Sequence, residues 1–199
     1  MKRPTGAEPG PVRRLLVSFL VRAALLLILL LLPWPGLGRT FSRAVAALHN
    51  AALSDPTSSV DLAFKVPEDG AEGGPWQVHA TARQRETNRV VGTALDTRRA
   101  GYLHDATFVA LTLATRAPRK PKLKILIVGL LLLLVVPLLP TLAFFSGSEL
   151  GIKAFDLHPI TQSVVQIAYR VLIAAPGMAY ASAGLLWLLL VRVFASEVL

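Results

Sequence analysis

The amino-acid sequence predicts an α-helical integral membrane protein with about four transmembrane helices and a small periplasmic α+β domain between the first two. Three observations predict this fold class. The chain of 199 residues is 53% hydrophobic, its apolar residues are gathered in blocks, and its net charge of +9 is concentrated beside two of those blocks. Such an uneven distribution is typical of membrane proteins and unusual in soluble domains.

The positive charges set the predicted orientation. The stretch 1–14 is basic, and five Lys or Arg residues fall within RAPRKPKLK at 116–124. Because Lys and Arg accumulate in cytoplasmic segments, both stretches and both termini are predicted to face the cytoplasm of a bacterial inner membrane. Lipid headgroups explain these residues better than a nucleic acid does. The predicted headgroup contacts are Arg98, Arg99, Arg116, Arg119, Lys120, Lys122 and Lys124.

The first part of the chain is divided into a tail, a span and a domain. Residues 1–14 form the cytoplasmic tail, and the Leu-rich stretch 15–34 is long enough to be the first transmembrane helix. Residues 37–101 form the periplasmic domain. Within it, Thr40–Leu53 places apolar residues at helical spacing, so we expect an amphipathic helix.

The rest of that domain alternates between apolar and polar residues. VDLAFKV, WQVHATARQ and NRVVGTALDT, which begin at Val60, Trp76 and Asn88, have the pattern of half-buried strands. We expect a three-stranded antiparallel sheet whose last two strands form a hairpin. A sheet of this size with one helix has a thin core, so we also expect the membrane surface or a partner to complete it.

Residues 102–115 are predicted to be a short second span. As a helix this stretch rises about 21 Å, less than the roughly 30 Å of the hydrocarbon core. Length alone favours a core helix. Charge favours a crossing, because the basic loop 116–124 would otherwise lie outside the cell.

The last part of the chain contains two further predicted spans. Residues 125–145 form the third, which Pro137 and Pro140 are expected to bend, and residues 146–163 form a periplasmic loop. Residues 164–194 form the fourth, with a kink at Pro176–Gly177.

Two sets of residues are predicted to hold helices together. Arg170 and Asp105 lie in the outer halves of different spans, so we expect an ion pair between them; the alternative is that each side chain reaches the headgroups separately. Gly177, Ala181 and Gly184, at spacings of four and three, form a small face that allows another helix to approach closely.

No reaction is evident from the sequence. The chain has no cysteine, which excludes a thiol nucleophile, and its four histidines lack metal-binding spacing. We therefore expect a non-enzymatic protein without cofactor or metal. Two alternatives remain: a membrane enzyme or small carrier that uses Gln166, Arg170, Asp105 and His104, and a structural subunit of an envelope or secretion complex.

The order of the segments resembles that of a known family. It includes Arg99-Ala100-Gly101-Tyr102-Leu103 with a short apolar run, a basic turn, a Leu-rich span, and a last helix from Tyr169-Arg170 to Arg192-Val193-Phe194. Over roughly residues 90–195 this pattern is similar to small exosortase-associated inner-membrane proteins, of the exosortase H-associated type. The resemblance implies an accessory role beside an exosortase-like sorting enzyme or its substrate, while the missing Cys means that the chain is not that enzyme.

Overall fold

The computed structural model describes residues 10–53, 57–68, 74–147, 158–175 and 177–195. In chain order its elements are α1 (Pro11–Leu31), α2 (Leu37–Leu53), β1 (Val60–Lys65), β2 (Gln77–Gln84), β3 (Val90–Asp96), a first π-helical turn (Arg98–Tyr102), α3 (Leu103–Ala114), α4 (Arg119–Leu133), α5 (Leu138–Ser146), α6 (Pro159–Tyr169), a second π-helical turn (Arg170–Ala174) and α7 (Met178–Ala195).

The three strands form the predicted antiparallel sheet, in the order β1-β2-β3. Val60 pairs with Gln84 in one ladder, and Gln77 pairs with Asp96 in the other. Alternate side chains are buried because successive residues of a strand point to opposite faces. The buried face packs against α2 and contains Val60, Phe64, Val78, Ala80, Ala82 and Leu95.

A residue of α5 completes the core of this sheet. Phe145 is fully buried and belongs to the same hydrophobic cluster as Phe64 and Val78. The chain itself therefore supplies an apolar side chain to this core, from the end of the apolar segment Arg119–Ser146. The expected contribution of the membrane surface or a partner stays a prediction.

The short helix α3 lies at the centre of the helical part and packs against α1, α4 and α7. Its side chains Ala106, Phe108 and Ala110 are buried. Gly129 of α4 lies against the ring of Phe108, and a Cβ atom added there would come within 1.9 Å of that ring. The glycine therefore allows α4 to approach α3 closely.

Two helical segments are long and apolar enough to cross a membrane, Val12–Leu31 and Arg119–Ser146. The pair Pro159–Ala174 and Met178–Phe194 passes the same criteria together, so the described residues contain two or three candidate spans. The predicted third span is interrupted near the expected position, since α4 ends at Leu133 and α5 begins at Leu138 with Pro137 at its N-cap, while a bend between the two helices stays a prediction. At 12 residues, α3 rises about 18 Å, and its predicted crossing stays a prediction.

The last segment differs from the single kinked span that the sequence predicts. Pro159–Ala174 and Met178–Phe194 are bent by 101° relative to each other, far more than a proline kink. The bend lies where it was expected: Gly177 has a φ of +79°, which a residue without Cβ adopts readily, while Pro176 is outside the described residues. Helix α6 also takes up the end of the predicted loop 146–163, of which 148–157 are not described.

The basic run is partly helical rather than a loop over the whole of 116–124. Helix α4 begins at Arg119, after Pro118 at its N-cap. Pro121 falls within the first turn, where a proline costs little because the backbone N–H groups there have no partner inside the helix. The basic side chains therefore form the polar end of the helix that becomes the Leu-rich segment.

Candidate functional site

An aromatic cluster joins the sheet to the helices. It consists of Phe41 from α2, Trp76 just before β2, and Tyr102 from the first π-helical turn. The ring centroids of Trp76 and Tyr102 are 4.7 Å apart, and those of Phe41 and Tyr102 are 5.4 Å apart. The Tyr102 hydroxyl donates to the carbonyl of Leu30 near the end of α1. Side chains with an apolar body and a polar tip, such as Trp and Tyr, suit this junction between the sheet and the helices.

Hydrogen bonds and a cation reinforce this cluster. The Thr97 hydroxyl donates to the Trp76 carbonyl at 2.8 Å and lies 2.8 Å from the buried hydroxyl of Ser42. The Arg98 guanidinium lies 5.9 Å from the centre of the Trp76 ring, within the range of a cation–π contact. Arg98, predicted as a headgroup contact, is exposed but is also directed at the cluster.

Beside this junction is a groove of about 370 Å³ between the sheet and the helices. One wall is Thr93–Asp96 of β3, which is an edge strand of the described sheet. The groove is further lined by Arg99, Ala100, Pro140, Ala143, Phe144, Gln166, Tyr169, Ile173 and Ala174. A strand edge presents backbone N–H and C=O groups, so a groove along it can accept an extended chain.

Polar groups define the electrostatics of this groove. The Arg99 Nε lies 3.7 Å from a carboxylate oxygen of Asp96, and the two side chains are 79% and 52% exposed. A pair this open to water is weak, so Arg99 can exchange its partner for another carboxylate. On the opposite wall, Gln166 donates to the Ala143 carbonyl at 2.5 Å and to the Ser146 hydroxyl at 2.9 Å, which attaches α6 to α5.

The predicted pair between Asp105 and Arg170 does not form among the described residues. Arg170 is exposed, and no ion pair joins it to Asp105 within that part of the chain. The neighbouring His104 makes the link between these elements instead: its Nε2 lies 3.2 Å from the carbonyl oxygen of Leu172 in the second π-helical turn. The buried His104 imidazole contacts the backbone of this turn, and the exposed Arg170 guanidinium faces the surroundings of the protein.

The predicted small face of the last helix makes no close helix–helix contact among the described residues. Ala181 is exposed, and a Cβ atom added to Gly177 or Gly184 would meet nothing within 4 Å. The face of α7 that packs inside the protein contains Ala183 and Leu190 instead. The small face is thus available to another molecule and not used for intramolecular packing.

The remaining predicted headgroup residues lie at the other end of the helices. Arg116 Nη2 donates to the Ser18 hydroxyl near the start of α1 at 3.4 Å, and Lys122 Nζ donates to the Leu113 carbonyl at 3.3 Å. Three further residues, Arg119, Lys120 and Lys124, are exposed. Lys122 therefore supplies a hydrogen-bond partner at the C-terminal end of α3, where cations are favourable.

His49 was not singled out by the sequence, but the structure buries it under the sheet. Its Nδ1 lies 2.8 Å from the Val45 carbonyl, and its ring packs on Phe64 at 4.8 Å between centroids. Its Nε2 is buried without a hydrogen-bond partner among the described residues. Burial lowers the pKa of His49, and the backbone carbonyls of Val45 and Pro137 only partly oppose this effect.

Sequence reasoning also missed the aromatic cluster. The sequence predicts a strand that begins at Trp76 and a span that begins at Tyr102, and nothing in the spacing of these two residues predicts a contact between them. The available signal was composition: Trp and Tyr are enriched at membrane boundaries, and both residues stand next to predicted ends of elements. Among the described residues, no group of three or more His, Asp or Glu side chains is arranged to hold a metal ion.

Comparison with known proteins identifies the family. The family model for the exosortase H-associated membrane proteins matches residues 13–194, which extends the resemblance noted over 90–195 to nearly the whole chain. No curated protein and no solved structure matches the sequence. The match covers the sequence from α1 through the sheet to α7. The chain therefore belongs to the family of exosortase H-associated membrane proteins.

Proposed function

We propose that this protein is a non-enzymatic accessory protein of an exosortase-type sorting system in the bacterial inner membrane. In this proposal both termini are cytoplasmic, α3 is the short second span, and the domain 37–101 binds a partner or a substrate in the periplasm. The family description supports the exosortase system and the membrane. The positions of the charged residues support the orientation.

The positive charges and the sheet are associated with opposite ends of α1. Arg116 contacts Ser18 in the first half of this helix, and Tyr102 contacts Leu30 near its end. These two contact points are separated by about 18 Å along the helix axis. Helix α3 runs between them, so it connects the basic end to the sheet end. This arrangement favours a cytoplasmic basic end and a periplasmic sheet.

The main evidence for a binding role is the groove along β3. The strand edge supplies backbone hydrogen-bonding groups, Phe144 and Ile173 supply apolar surface, and Arg99 supplies a positive charge. These are the features that allow an extended peptide to be added to a sheet as a further strand. We infer that an extended segment of the sorting enzyme or of its substrate occupies this groove.

The experiment uses photocrosslinking in cells that express the full-length protein with the sorting enzyme and a substrate of the same system. The crosslinking amino acid is placed at Ala94, which is exposed and lines the groove, or at Lys65, which is exposed on the opposite edge strand. We expect a crosslink to enzyme or substrate from position 94 and none from position 65. Equal crosslinking from both positions, or none from either, would contradict the groove as the binding site.

Co-purification distinguishes the remaining alternatives. A structural subunit of an envelope or secretion complex would bring other envelope proteins with it and no exosortase-like enzyme. For the enzyme or carrier alternative, Gln166, His104 and Arg170 have separate surroundings: Gln166 faces α5, His104 faces the Leu172 carbonyl, and Arg170 is exposed. The geometry therefore favours the accessory role.

A reporter fusion tests the orientation independently. A reporter that is active only in the cytoplasm is fused after Lys120, in the basic segment, or after Leu53, in the domain. We expect activity from the first fusion only. Activity after Leu53, or silence after Lys120, would reverse the assignment of the two sides.

A further inference from the structure

Helix α6 has its apolar side facing outward. Ile160, Val164, Ile167 and Val171 are 69, 59, 62 and 48% exposed. Their spacings of four, three and four residues align them in one stripe along α6 and the first residues of the second π-helical turn. We call these four residues the α6 stripe. In a soluble protein an amphipathic helix turns such a stripe toward the core.

The polar side of the same helix faces the protein. Gln166 donates to the Ala143 carbonyl and to the Ser146 hydroxyl of α5, and Tyr169 lines the groove beside them. On a helical wheel these two residues lie opposite the α6 stripe. The helix therefore has a polar face toward α5 and an apolar face toward its surroundings. That arrangement is stable where the surroundings are hydrocarbon.

The position of α6 along the bundle indicates its depth. The last basic residue of α4 is Lys124, and the hydrocarbon core takes about 20 helical residues to cross, so the far boundary falls near Phe144. Helix α6 is bonded to Ala143 and Ser146, at that boundary. It is also bent by 101° from the segment Met178–Phe194, with which it passes the criteria for a span only as a pair, so α6 is roughly perpendicular to α7.

We propose that α6 lies in the plane of the membrane, at the sheet-side boundary between hydrocarbon and headgroups, with the α6 stripe in contact with lipid acyl chains. The helix is thus an interfacial segment and not the outer half of a transmembrane helix. Arg170 is exposed beside the stripe and reaches toward the headgroups. The lipid surface fits better than a partner protein because the stripe consists only of aliphatic side chains, with no charge or hydrogen-bonding group within it.

Depth measurement on single-cysteine variants tests this proposal. Because the natural chain has no cysteine, Ile160→Cys, Val164→Cys, Ile167→Cys and Val171→Cys each carry one fluorescent probe without further changes. The full-length protein alone is placed in phosphatidylethanolamine–phosphatidylglycerol vesicles that contain lipids with a quencher at known depths. Val90→Cys on β3, 58% exposed, is the control for water, and Leu131→Cys on α4, 59% exposed, is the control for lipid.

We expect the four stripe probes to report one common depth, about 5–10 Å below the headgroups. A transmembrane α6 would instead give depths that change by about 16 Å from position 160 to position 171, and this result would overturn the proposal. Quenching of the stripe by a water-soluble quencher as strongly as at Val90→Cys would also overturn it. Protection from both kinds of quencher would mean that protein covers the stripe, which again contradicts lipid contact. None of these outcomes depends on a sorting partner.

Discussion

The two hydrophobic clusters of this protein are built from different side chains. The cluster around α3 contains large residues from three helices, including Phe108, Ile125 and Leu190. The cluster under the sheet contains three alanines and depends on Phe64 and Phe145 for its aromatic bulk. Phe64 belongs to the sheet, whereas Phe145 belongs to α5. One side chain in the core of the sheet domain therefore comes from the helical part of the protein.

This difference shows how a small domain can be stable beside a membrane. A three-stranded sheet with one helix buries too little apolar surface to fold reliably alone. Packing on Phe145 adds apolar burial and also fixes the position of the sheet relative to α5. The groove along β3 exists because of that attachment, since α5 forms another of its walls. Changes in α5 should therefore affect the sheet more than changes on the surface of the sheet itself.

Replacement of Phe145 by Ala is the strongest test of this dependence. Loss of a fully buried phenylalanine costs about 3–5 kcal/mol through lost burial and the cavity left behind. We expect hydrogen exchange in β2 and β3 to become much faster while α3 remains protected. The matched control is Phe144→Ala, because Phe144 has the same side chain but is 38% exposed and lines the groove, with an edge contact to the Phe145 ring at 5.2 Å between centroids. Unchanged exchange in Phe145→Ala would mean that the sheet folds without α5.

The second test addresses the α3 cluster. In Gly129→Ala the new methyl group would clash with the fully buried ring of Phe108, so we expect a loss of about 3 kcal/mol, at the upper end of the overpacking range. Thermal unfolding in detergent measures it. Gly184→Ala is the control, because its methyl group would meet nothing within 4 Å. Adding Phe108→Leu to Gly129→Ala should recover part of the loss, and a failure to do so would place the strain elsewhere.

These two residues also show where prediction from the sequence ends. The strands were predicted because alternation at Val78, Ala80 and Ala82 is a local signal that follows from strand geometry. The role of Phe145 has no local signal, since Phe144 beside it has the same residue type and opposite exposure. Gly129 likewise stands in a Leu-rich run that reads as lipid-facing on every side. Its function depends on Phe108, which is on another helix.

In the candidate site, too, local features were predictable and contacts between distant residues were not. Pro176–Gly177 marked the position of the bend, but not its size, because the 101° angle depends on contacts such as Gln166 with Ala143 and His104 with Leu172. The proposed pair of Asp105 and Arg170 relied on residue type and depth alone. In the structure Arg170 is exposed, and the contact between these elements is made by His104 Nε2 with the Leu172 carbonyl. The strands of the sheet were predictable from the sequence. The groove beside β3 was not, because its other walls depend on where α5 and α6 lie in the fold.

A third, smaller effect is expected from pH. His49 has a lowered pKa in the folded protein, so its neutral form contributes stability above the ordinary pKa near 6.5, and that contribution is lost as the pH falls toward the folded-state value. After correction for the intrinsic pH dependence of amide exchange, β1 should therefore be less protected at pH 5.5 than at pH 7.5 in the natural protein. In His49→Gln, hydrogen exchange of β1 at pH 7.5 should be faster than in the natural protein, but its protection should depend less on pH. The control His79→Gln, at an exposed position on β2, should keep the full pH dependence; if it does not, another group titrates.

The smallest effect is expected from an ion pair on the surface of the sheet. Arg85 donates from Nε and Nη2 to one oxygen of Asp61, at 2.8 and 2.6 Å, and these hydrogen bonds lower the pKa of the carboxyl group. Such a group stabilises the fold above its ordinary pKa, near 3.8, and loses this effect as the pH falls below that value. We expect Arg85→Gln to raise the pKa of Asp61, measured by NMR titration, and to leave hydrogen exchange at neutral pH unchanged because water screens the pair. If hydrogen exchange in Arg85→Gln were as fast as in Phe145→Ala, the sheet would be stabilised by its surface charges rather than by the Phe145 side chain of α5.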